Sequence, residues 1–314
     1  MQEYSVHHRG RFRQIPIYLG KFFRMFIFQN DWKVLPMSAV IALLVAYVAG
    51  NYMFINMEGT VMGSMALTCV CLWNGCFNSI QSVCREREIV KREHRAGMHI
   101  FAYISAHMIY QAVLCLLQTL ITVLVCRSAG LTFPTLGRIT PSFSMDLIIT
   151  LFLTTYAADM MSLMISCIVR TATDAMTVMP LVLVFQLVFS GILFSLSGTA
   201  EKFSCVTVAK WGMRSLCSLA DYNSLPMVSV WNQLCKFQNV EVMGIKPIYE
   251  IVKYMADNDL HTKFMMDTAA YQAIPEYACT GGNIGFCWMH LLAFALIFAV
   301  LAMVALKFVD RDKR

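Results

Sequence analysis

Long apolar runs alternate with shorter polar segments along most of this chain. Six of the runs are at least about 20 residues long, which is the length of helix needed to cross the roughly 30 Å hydrocarbon layer of a bilayer. The pattern therefore predicts an all-α integral membrane protein with six transmembrane helices and a large folded loop between the fifth and sixth. The predicted spans are residues 34–55, 61–83, 100–126, 147–169, 176–196 and 284–309.

Apolar residues also recur before the first span, at the three- and four-residue spacing of an amphipathic helix. Phe12, Ile15 and Phe22 belong to this apolar stripe, and basic residues separate them. Pro16 is expected to shorten or kink the helix. We expect residues 1–33 to form a cytoplasmic N-terminal segment with an amphipathic connecting helix at the membrane surface.

The composition fits a chain that has lipid around it, with 58% hydrophobic and only 14% charged residues. Lys and Arg cluster before the first predicted span, between the second and third, and after the sixth. Because short positively charged loops stay in the cytoplasm, both termini are predicted to be cytoplasmic and the protein to lie in the plasma membrane. The formal charge of +6 then reflects orientation and contact with membrane lipids, not binding of nucleic acid.

These observations divide the chain into four predicted regions. The N-terminal segment 1–33 is followed by five spans in 34–196, which include a charged cytoplasmic helix at 84–98. Residues 197–283 form an extracellular cap, since long loops are translocated largely regardless of their charge, and residues 210–216 near its start are expected to pack against the membrane surface. Residues 284–314 form the sixth span and a cytoplasmic tail.

The segment between the second and third predicted spans has eight charges in the twelve residues 84–95. Opposite charges at helical spacing predict a short helix in which Glu86 and Glu88 pair with neighbouring Lys or Arg side chains. A solvated charged face would account for the pattern without any function. Its position at the tip of two long spans also suits a docking site for a partner.

Polar side chains share one helix face in the second predicted span. Asn74, Asn78 and Gln81 stand at positions i, i+4 and i+7, with Phe77 alongside. Amides in hydrocarbon need partners, so this face should point into the protein or a wet cavity. Two interpretations stay open, namely hydrogen bonds that join helices and a wall that contacts a substrate.

Two further spans have polar faces. In the fourth, Thr155, Asp159, Ser162 and Ser166 form one stripe. We expect Asp159 to be protonated or hydrogen-bonded to a neighbouring span instead of facing lipid, with a role in transport or proton coupling as the alternative. In the third span, His107, Gln111 and Gln118 share a face, and a structural role is the simplest interpretation of the histidine.

The chain has twelve cysteines, most of them in or beside predicted spans, where small buried thiols are expected. Four others fall in the predicted extracellular loop. Oxidising surroundings favour at least one disulfide among the three pairings that four cysteines allow. These four are Cys205, Cys217, Cys235 and Cys279.

The sequence contains no spacing typical of a metal site or of a phosphate-binding loop. His94 and His99 are five positions apart, too far for the i, i+4 pair of a helical metal site, there is no His-Glu-x-x-His, and no Gly-x-x-x-x-Gly-Lys-Ser/Thr occurs. We therefore expect no metal, no cofactor and no enzymatic activity in this chain. If ATP and Mg²⁺ are used, they should be bound by another chain.

Several short stretches, in their order along the chain, resemble the membrane half of an exporter family. They are NGCFNS at 74–79, REHRAG at 92–97, VFSGIL at 188–193 and CTG at 279–281. Together with the amphipathic helix and six spans, they are similar to the G-type (white/PDR-like) ATP-binding-cassette exporters. In that family the ATPase is usually fused ahead of the connecting helix, whereas only about ten residues precede the helix here, so an ATPase on a separate chain is expected.

The resemblance implies two membrane halves, identical or different, that face each other and move an amphipathic or hydrophobic substrate such as a lipid, drug or peptide by alternating access. It implies contact with substrate at Asn74, Phe77, Asn78, Leu183, Val184 and Leu187. It implies a gate at Ile192 and Leu193. The residues that would couple to the ATPase subunit are Arg85, Glu86, Arg87, Glu88, Lys91, Arg92 and Glu93.

Two other classes of function stay open at this point. One is a membrane sensor or immunity protein that binds a ligand through its extracellular loop without moving it. The other is an intramembrane lipid-modifying enzyme that uses Asp159 and His107, although no acid, base and nucleophile converge in one motif. A permease should co-purify with an ATPase, and a sensor need not.

Overall fold

The computed structural model describes residues 10–29, 31–191, 198–241 and 244–308. Within these ranges the fold is built from α-helices joined by turns and short 3₁₀ segments. The helices are α1 (Arg11–Phe28), α2 (Val34–Ala49), α3 (Met57–Ser79), α4 (Arg87–Arg95), α5 (Ile100–Ser128), α6 (Phe143–Ile168), α7 (Ala172–Val188), α8 (Thr199–Ser204), α9 (Val208–Leu219), α10 (Val228–Phe237), α11 (Pro247–Asp257), α12 (His261–Tyr271) and α13 (Gly281–Lys307).

Five of these helices are long and apolar enough to cross a membrane, namely α2 with the turn before it, α3, α5, α6 and α13. Helix α7 is also apolar but has 17 residues. At 1.5 Å per residue it is about 25 Å long, a little less than the roughly 30 Å hydrocarbon layer. The predicted fifth span, 176–196, begins inside α7, and residues 192–196 lie outside the described residues. The count of six spans stays a prediction.

The first predicted span, 34–55, is too long, because α2 ends at Ala49. Gly50 follows with a φ of 61°, a conformation that favours glycine and stops the helix. The chain then turns back, and Met53 and Phe54 become buried. The apolar residues after Ala49 therefore belong to a buried turn and not to the span.

Helix α3 lies four residues earlier at both ends than the predicted span 61–83. The Asn56 side chain accepts a hydrogen bond from the Gly59 N–H at 2.7 Å and caps the start of the helix. After Ser79 the chain turns, and the Ser166 hydroxyl of α6 accepts the Val83 N–H at 3.0 Å. Because this bond fixes the turn to α6, the helix cannot continue to residue 83.

The other predicted elements agree more closely with the structure. Helices α5, α6 and α13 start and end within about four residues of their predicted spans. The amphipathic helix α1 runs from Arg11 to Phe28 with Pro16 inside it, so the proline does not end the helix. The charged helix predicted at 84–98 is shorter, spanning Arg87–Arg95.

Helix α6 packs against both α3 and α13 and forms the centre of the bundle. Small residues make these approaches close. Gly75 of α3 lies against the backbone of α6, and Ala295, Ala299 and Ala302 form part of the buried face of α13. The opposite face of α13 is apolar and exposed, as expected of a helix that contacts lipid.

Helix α9 is buried, although the sequence predicted that residues 210–216 pack on the membrane surface. It lies against α3, α6 and α13, and Gly212 fits against the Thr154 side chain. The Gln186 side chain of α7 accepts the Val208 N–H at 2.8 Å and so satisfies one of the free donors at the start of α9. The apolar face of this segment thus meets protein, whereas α10, α11 and α12 are largely exposed.

The four cysteines predicted to form disulfides are free thiols, as are the other eight, and all twelve lie in the described part of the chain. Cys217 is fully buried in a cluster with Met57 and Met213, whereas Cys205 is exposed and Cys235 and Cys279 are half-buried. Burial of Cys217 inside a helix bundle removes it from the surface where a partner thiol would have to reach it.

Candidate functional site

Asp159 joins three helices in the middle of the bundle. Its side chain is fully buried, and its carboxylate accepts hydrogen bonds from the Ser79 hydroxyl of α3 and from the Cys115 thiol of α5, the latter at 3.3 Å. Gln111 of α5 in turn donates to the Ser79 hydroxyl at 2.7 Å. The prediction that Asp159 is hydrogen-bonded to a neighbouring span is confirmed.

Other polar residues of α3 and α6 also join helices. Asn78 and Gln118 exchange two amide hydrogen bonds of 2.8 and 3.0 Å between α3 and α5. The Ser162 hydroxyl donates to the Cys76 carbonyl at 2.8 Å. Since each amide of the Asn78 pair uses both a donor and an acceptor in it, these contacts favour the helix-joining interpretation for Asn78.

A cavity of about 230 Å³ lies beside this polar core, between α1, α3, α5 and the turn that follows α3. Phe77 and Asn78 both line it, so two of the residues predicted to contact substrate come together. Gln81 and His107 are also in the wall, whereas Asn74 is buried and is not part of it. The polar face predicted on the second span is thus divided between a helix contact and a cavity.

The three predicted substrate residues of the fifth span are not in this cavity. On α7, Leu183 is buried, Val184 is exposed and Leu187 is half-buried. The structure therefore does not bring them together with Asn78 and Phe77 in one pocket of a single chain. Ile192 and Leu193, the predicted gate, lie outside the described residues.

Some residues of the charged segment 84–95 make contacts within the chain. Arg87 is buried, and its guanidinium donates to the backbone carbonyls of Cys167 at 3.1 Å and Val169 at 2.9 Å, at the end of α6. It therefore anchors α4 to the end of α6, and its role in coupling to an ATPase stays a prediction. Lys91 pairs with Glu88 at 3.2 Å, in line with the expected pairing inside the helix.

The outward side of α4 remains open to a partner. Arg85, just before the helix, and Glu88 and Arg92 on it are exposed. Ile89 is also exposed among them. A single exposed apolar residue is ordinary on a protein surface, so the exposed charges are the feature of this side that a partner could contact.

Helix α1 is fixed to α4 by contacts that the sequence alone did not predict. The Lys21 ammonium lies 3.3 Å from carboxylate oxygens of both Glu86 and Glu93. Gln14 donates to the Gly97 carbonyl at 3.2 Å. Burial, with a smaller contribution from the Glu93 carboxylate, raises the pKa of Tyr18 to about 12.

The signal for these contacts was present in the sequence. Gln14 and Lys21 are seven residues apart, two turns of helix, and so lie on one face. The predicted pairing of Glu86 inside its own helix was wrong, because its partner belongs to α1.

We predict that Lys21→Glu loosens α1 from α4, because three carboxylates then come together. Hydrogen–deuterium exchange of residues 11–28 should become faster. The double variant Lys21→Glu, Glu93→Lys restores one pair of opposite charges and should recover most of the protection. Lys33→Glu is the matched control, since Lys33 is exposed and lies after α1. Unchanged exchange in Lys21→Glu would show that the ion pairs do not hold α1.

Long apolar helices joined by buried polar contacts define a multi-pass membrane protein. Residues 21–209 match the membrane-domain family described as ABC-2 type transporter, which is more than half of the chain. The chain belongs to this family, and it is a transmembrane permease of the ABC transporter class. The matched range runs from α1 to the start of α9.

One relative gives a similar result over a shorter stretch. The chain is 29% identical over 147 residues to the ABC transporter ATP-binding/permease protein Rv1747 of Mycobacterium tuberculosis. The match covers 46% of this chain and 17% of that protein. The relative is therefore much longer, and its name combines an ATP-binding and a permease function.

Proposed function

We propose that the chain is the membrane half of a G-type exporter that works as a dimer with an ATPase supplied by a separate chain. In this proposal α7 belongs to the fifth of six spans, both termini are cytoplasmic, and the loop between the fifth and sixth spans is extracellular. The substrate is an amphipathic or hydrophobic molecule, moved across the plasma membrane by alternating access. The match of residues 21–209 to ABC-2 type transporters supports the permease class.

An aromatic face on α3 supports the pairing of two membrane halves. Trp73 and Phe77 are both exposed, with their ring centroids 5.4 Å apart. On α7, Val184 and Phe185 are exposed as well. If α3 and α7 of two copies faced each other, these side chains would line an apolar passage between them. Large exposed apolar faces of this kind mark contacts with lipid or with another protein.

The single observation that carries the coupling part of the proposal is the attachment of α4. Helix α4 is tied to α6 by Arg87 and to α1 by the ion pairs of Lys21. A force that an ATPase exerts on the exposed side of α4 would therefore be transmitted to both α1 and α6. ATP binding, by favouring one arrangement of the ATPase, would bias the permease between its two states.

The experiment that tests the proposal is recovery of an ABC ATPase with the purified chain. We predict that the double variant Arg85→Glu, Arg92→Glu reduces the amount of co-purified ATPase at least five-fold, because it reverses two exposed charges of the proposed contact surface. The matched control is Lys236→Glu on α10, which is also exposed.

An unreduced yield of ATPase in the double variant would contradict the proposed docking surface. If no ATPase co-purifies with the unaltered chain, the result favours the interpretation of the chain as a membrane sensor. Thermal unfolding of each variant shows whether a lost complex reflects a lost fold.

A further inference from the structure

The cavity beside α1 is lined by two opposite charges that do not pair with each other. Asp31 lies in the turn between α1 and α2, and Arg85 lies in the turn between α3 and α4. Within the described residues, neither side chain takes part in a hydrogen bond or an ion pair. The Arg85 guanidinium nevertheless attracts the Asp31 carboxylate electrostatically. The two charges therefore border one cavity without closing it.

The third charged residue of the wall, Glu86, already has a partner. Its carboxylate lies 3.3 Å from the Lys21 ammonium of α1. The charges of the wall that have no partner among the described residues are then Asp31 and Arg85, one of each sign. A ligand with one positive and one negative group matches both of them, whereas a ligand with a single charge leaves one of them unmatched.

Much of the remaining wall is apolar or aromatic and comes from the helices. These residues are Phe22, Met25, Phe77, Tyr110, Leu114 and Met176. Phe77 is 42% exposed and Met176 is 40% exposed, so the apolar part of the wall continues onto the outer surface of α3 and α7. Trp73 extends this surface along α3, with its ring centroid 5.4 Å from that of Phe77. A cavity with charged turns and apolar helices suits an amphipathic ligand.

We propose that this cavity binds the headgroup of a zwitterionic phospholipid. The phosphate lies against the Arg85 guanidinium, the ammonium group lies against the Asp31 carboxylate, and the acyl chains leave the cavity along Phe77 and Trp73. At roughly 30 Å³ for a water molecule, the volume of about 230 Å³ has room for about eight non-hydrogen atoms, the size of a phosphoethanolamine group. The site lies within one chain, so binding here does not depend on the paired passage proposed for transport.

Photolabelling of the full chain in a nonionic detergent tests this proposal. Three phospholipid probes have the same diazirine-bearing acyl chain and differ in the headgroup. Phosphatidylethanolamine and phosphatidylcholine carry both charges, whereas phosphatidylglycerol carries only the negative one. We expect at least one of the zwitterionic probes to label peptides that contain Phe77 or Met176 at least five-fold more than the phosphatidylglycerol probe. Soluble phosphoethanolamine, equimolar with the probe, should leave this labelling in place, because it lacks the apolar chains.

Variants connect the labelling to the cavity. Asp31→Asn should reduce labelling by the zwitterionic probes at least five-fold without reducing that by phosphatidylglycerol, whereas Arg85→Gln should reduce labelling by all three probes. Lys33→Gln is the matched control and should change nothing, since Lys33 is an exposed charge close to Asp31 in the chain but does not line the cavity. Met176→Trp places a larger side chain in the cavity wall and should reduce labelling with both charges intact.

Arg85 also belongs to the proposed docking surface for an ATPase, and the two proposals are tested separately. Photolabelling uses the chain without an ATPase, and Asp31 does not belong to the docking surface. A failure of the docking proposal therefore leaves the lipid test unaffected. Thermal unfolding of each variant shows whether lost labelling reflects a lost fold.

Any of four results would overturn the proposal. One is no labelling of α3 or α7 by either zwitterionic probe. Another is equal labelling by phosphatidylglycerol, which would mean that the ammonium group is not recognised. The third is unreduced labelling in either Asp31→Asn or Arg85→Gln, which would place the headgroup elsewhere. The fourth is complete competition by soluble phosphoethanolamine, which would assign the cavity to a zwitterion from water instead of a lipid.

Discussion

Gly75→Ala is expected to destabilise the protein by roughly 1–3 kcal/mol, the cost typical of overpacking, or to keep α3 from docking on α6. A Cβ atom at position 75 would overlap the backbone carbonyl oxygen of Thr155. It would also lie 2.8 Å from the Ala158 Cβ and 2.8 Å from the Asp159 backbone nitrogen. Because most of these neighbours are backbone atoms, no rotamer change can make room, and the two helices must move apart.

The measurement is the thermal unfolding of the detergent-solubilised protein, together with its elution as a single species. Gly285→Ala in α13 is the matched control, since nothing lies within 4 Å of a Cβ there. It should be neutral or slightly stabilising, because alanine favours helix by about 1 kcal/mol over glycine. The unfolding temperature of Gly63→Ala should lie between those of the other two variants, because a Cβ at position 63 would meet the flexible Met53 side chain and not backbone atoms. Similar unfolding of the Gly75 and Gly285 variants would mean that α3 and α6 pack less closely than described.

The length of the apolar runs predicted the five long apolar helices, but it could not distinguish segments covered by lipid from segments covered by protein. The turn after Ala49 is apolar because Met53 and Phe54 pack into the protein. Helix α9 is apolar because it lies among α3, α6 and α13, and its sequence was therefore mistaken for a surface segment. Both errors have the same cause. The hydrophobicity of a segment indicates that it is removed from water, but it does not indicate whether lipid or protein covers it.

For the candidate site, helical spacing placed the polar residues on the correct faces but did not identify their partners. Asn78 pairs with Gln118, forty positions away in the sequence, and Lys21 pairs with Glu86 and Glu93. Such pairs depend on how helices are arranged, which a single sequence does not specify. The family resemblance gave the transporter class, and the predicted substrate residues on α3 and α7 remain to be tested in a dimer.

Asp159→Leu is the second substitution with a large expected effect. It removes the acceptor for the Ser79 hydroxyl and the Cys115 thiol at a fully buried position. A buried donor left unsatisfied costs roughly 1–3 kcal/mol, so the variant should unfold at a clearly lower temperature than the unaltered protein. Asp159→Asn retains one acceptor oxygen at nearly the same volume and should be milder. Asp267→Leu, at an exposed site on α12, should have little effect.

A double-mutant cycle separates the hydrogen bond from the general effect of altering the core. Ser79→Ala removes the donor, so the double variant has neither an unpaired Ser79 hydroxyl nor an unpaired Asp159 oxygen, and only the Cys115 thiol and the Gln111 amide lose a partner. Replacing both partners of a hydrogen bond by apolar groups is often close to neutral. The double variant should therefore be less destabilised than the sum of the two single variants, by a coupling of about 0.5–3 kcal/mol. Strict additivity would mean that Asp159 does not hold α3 through Ser79. Hydrogen bonding to Ser79 would then not explain why a carboxylate is buried at position 159. A role of Asp159 in proton coupling would be the alternative to test.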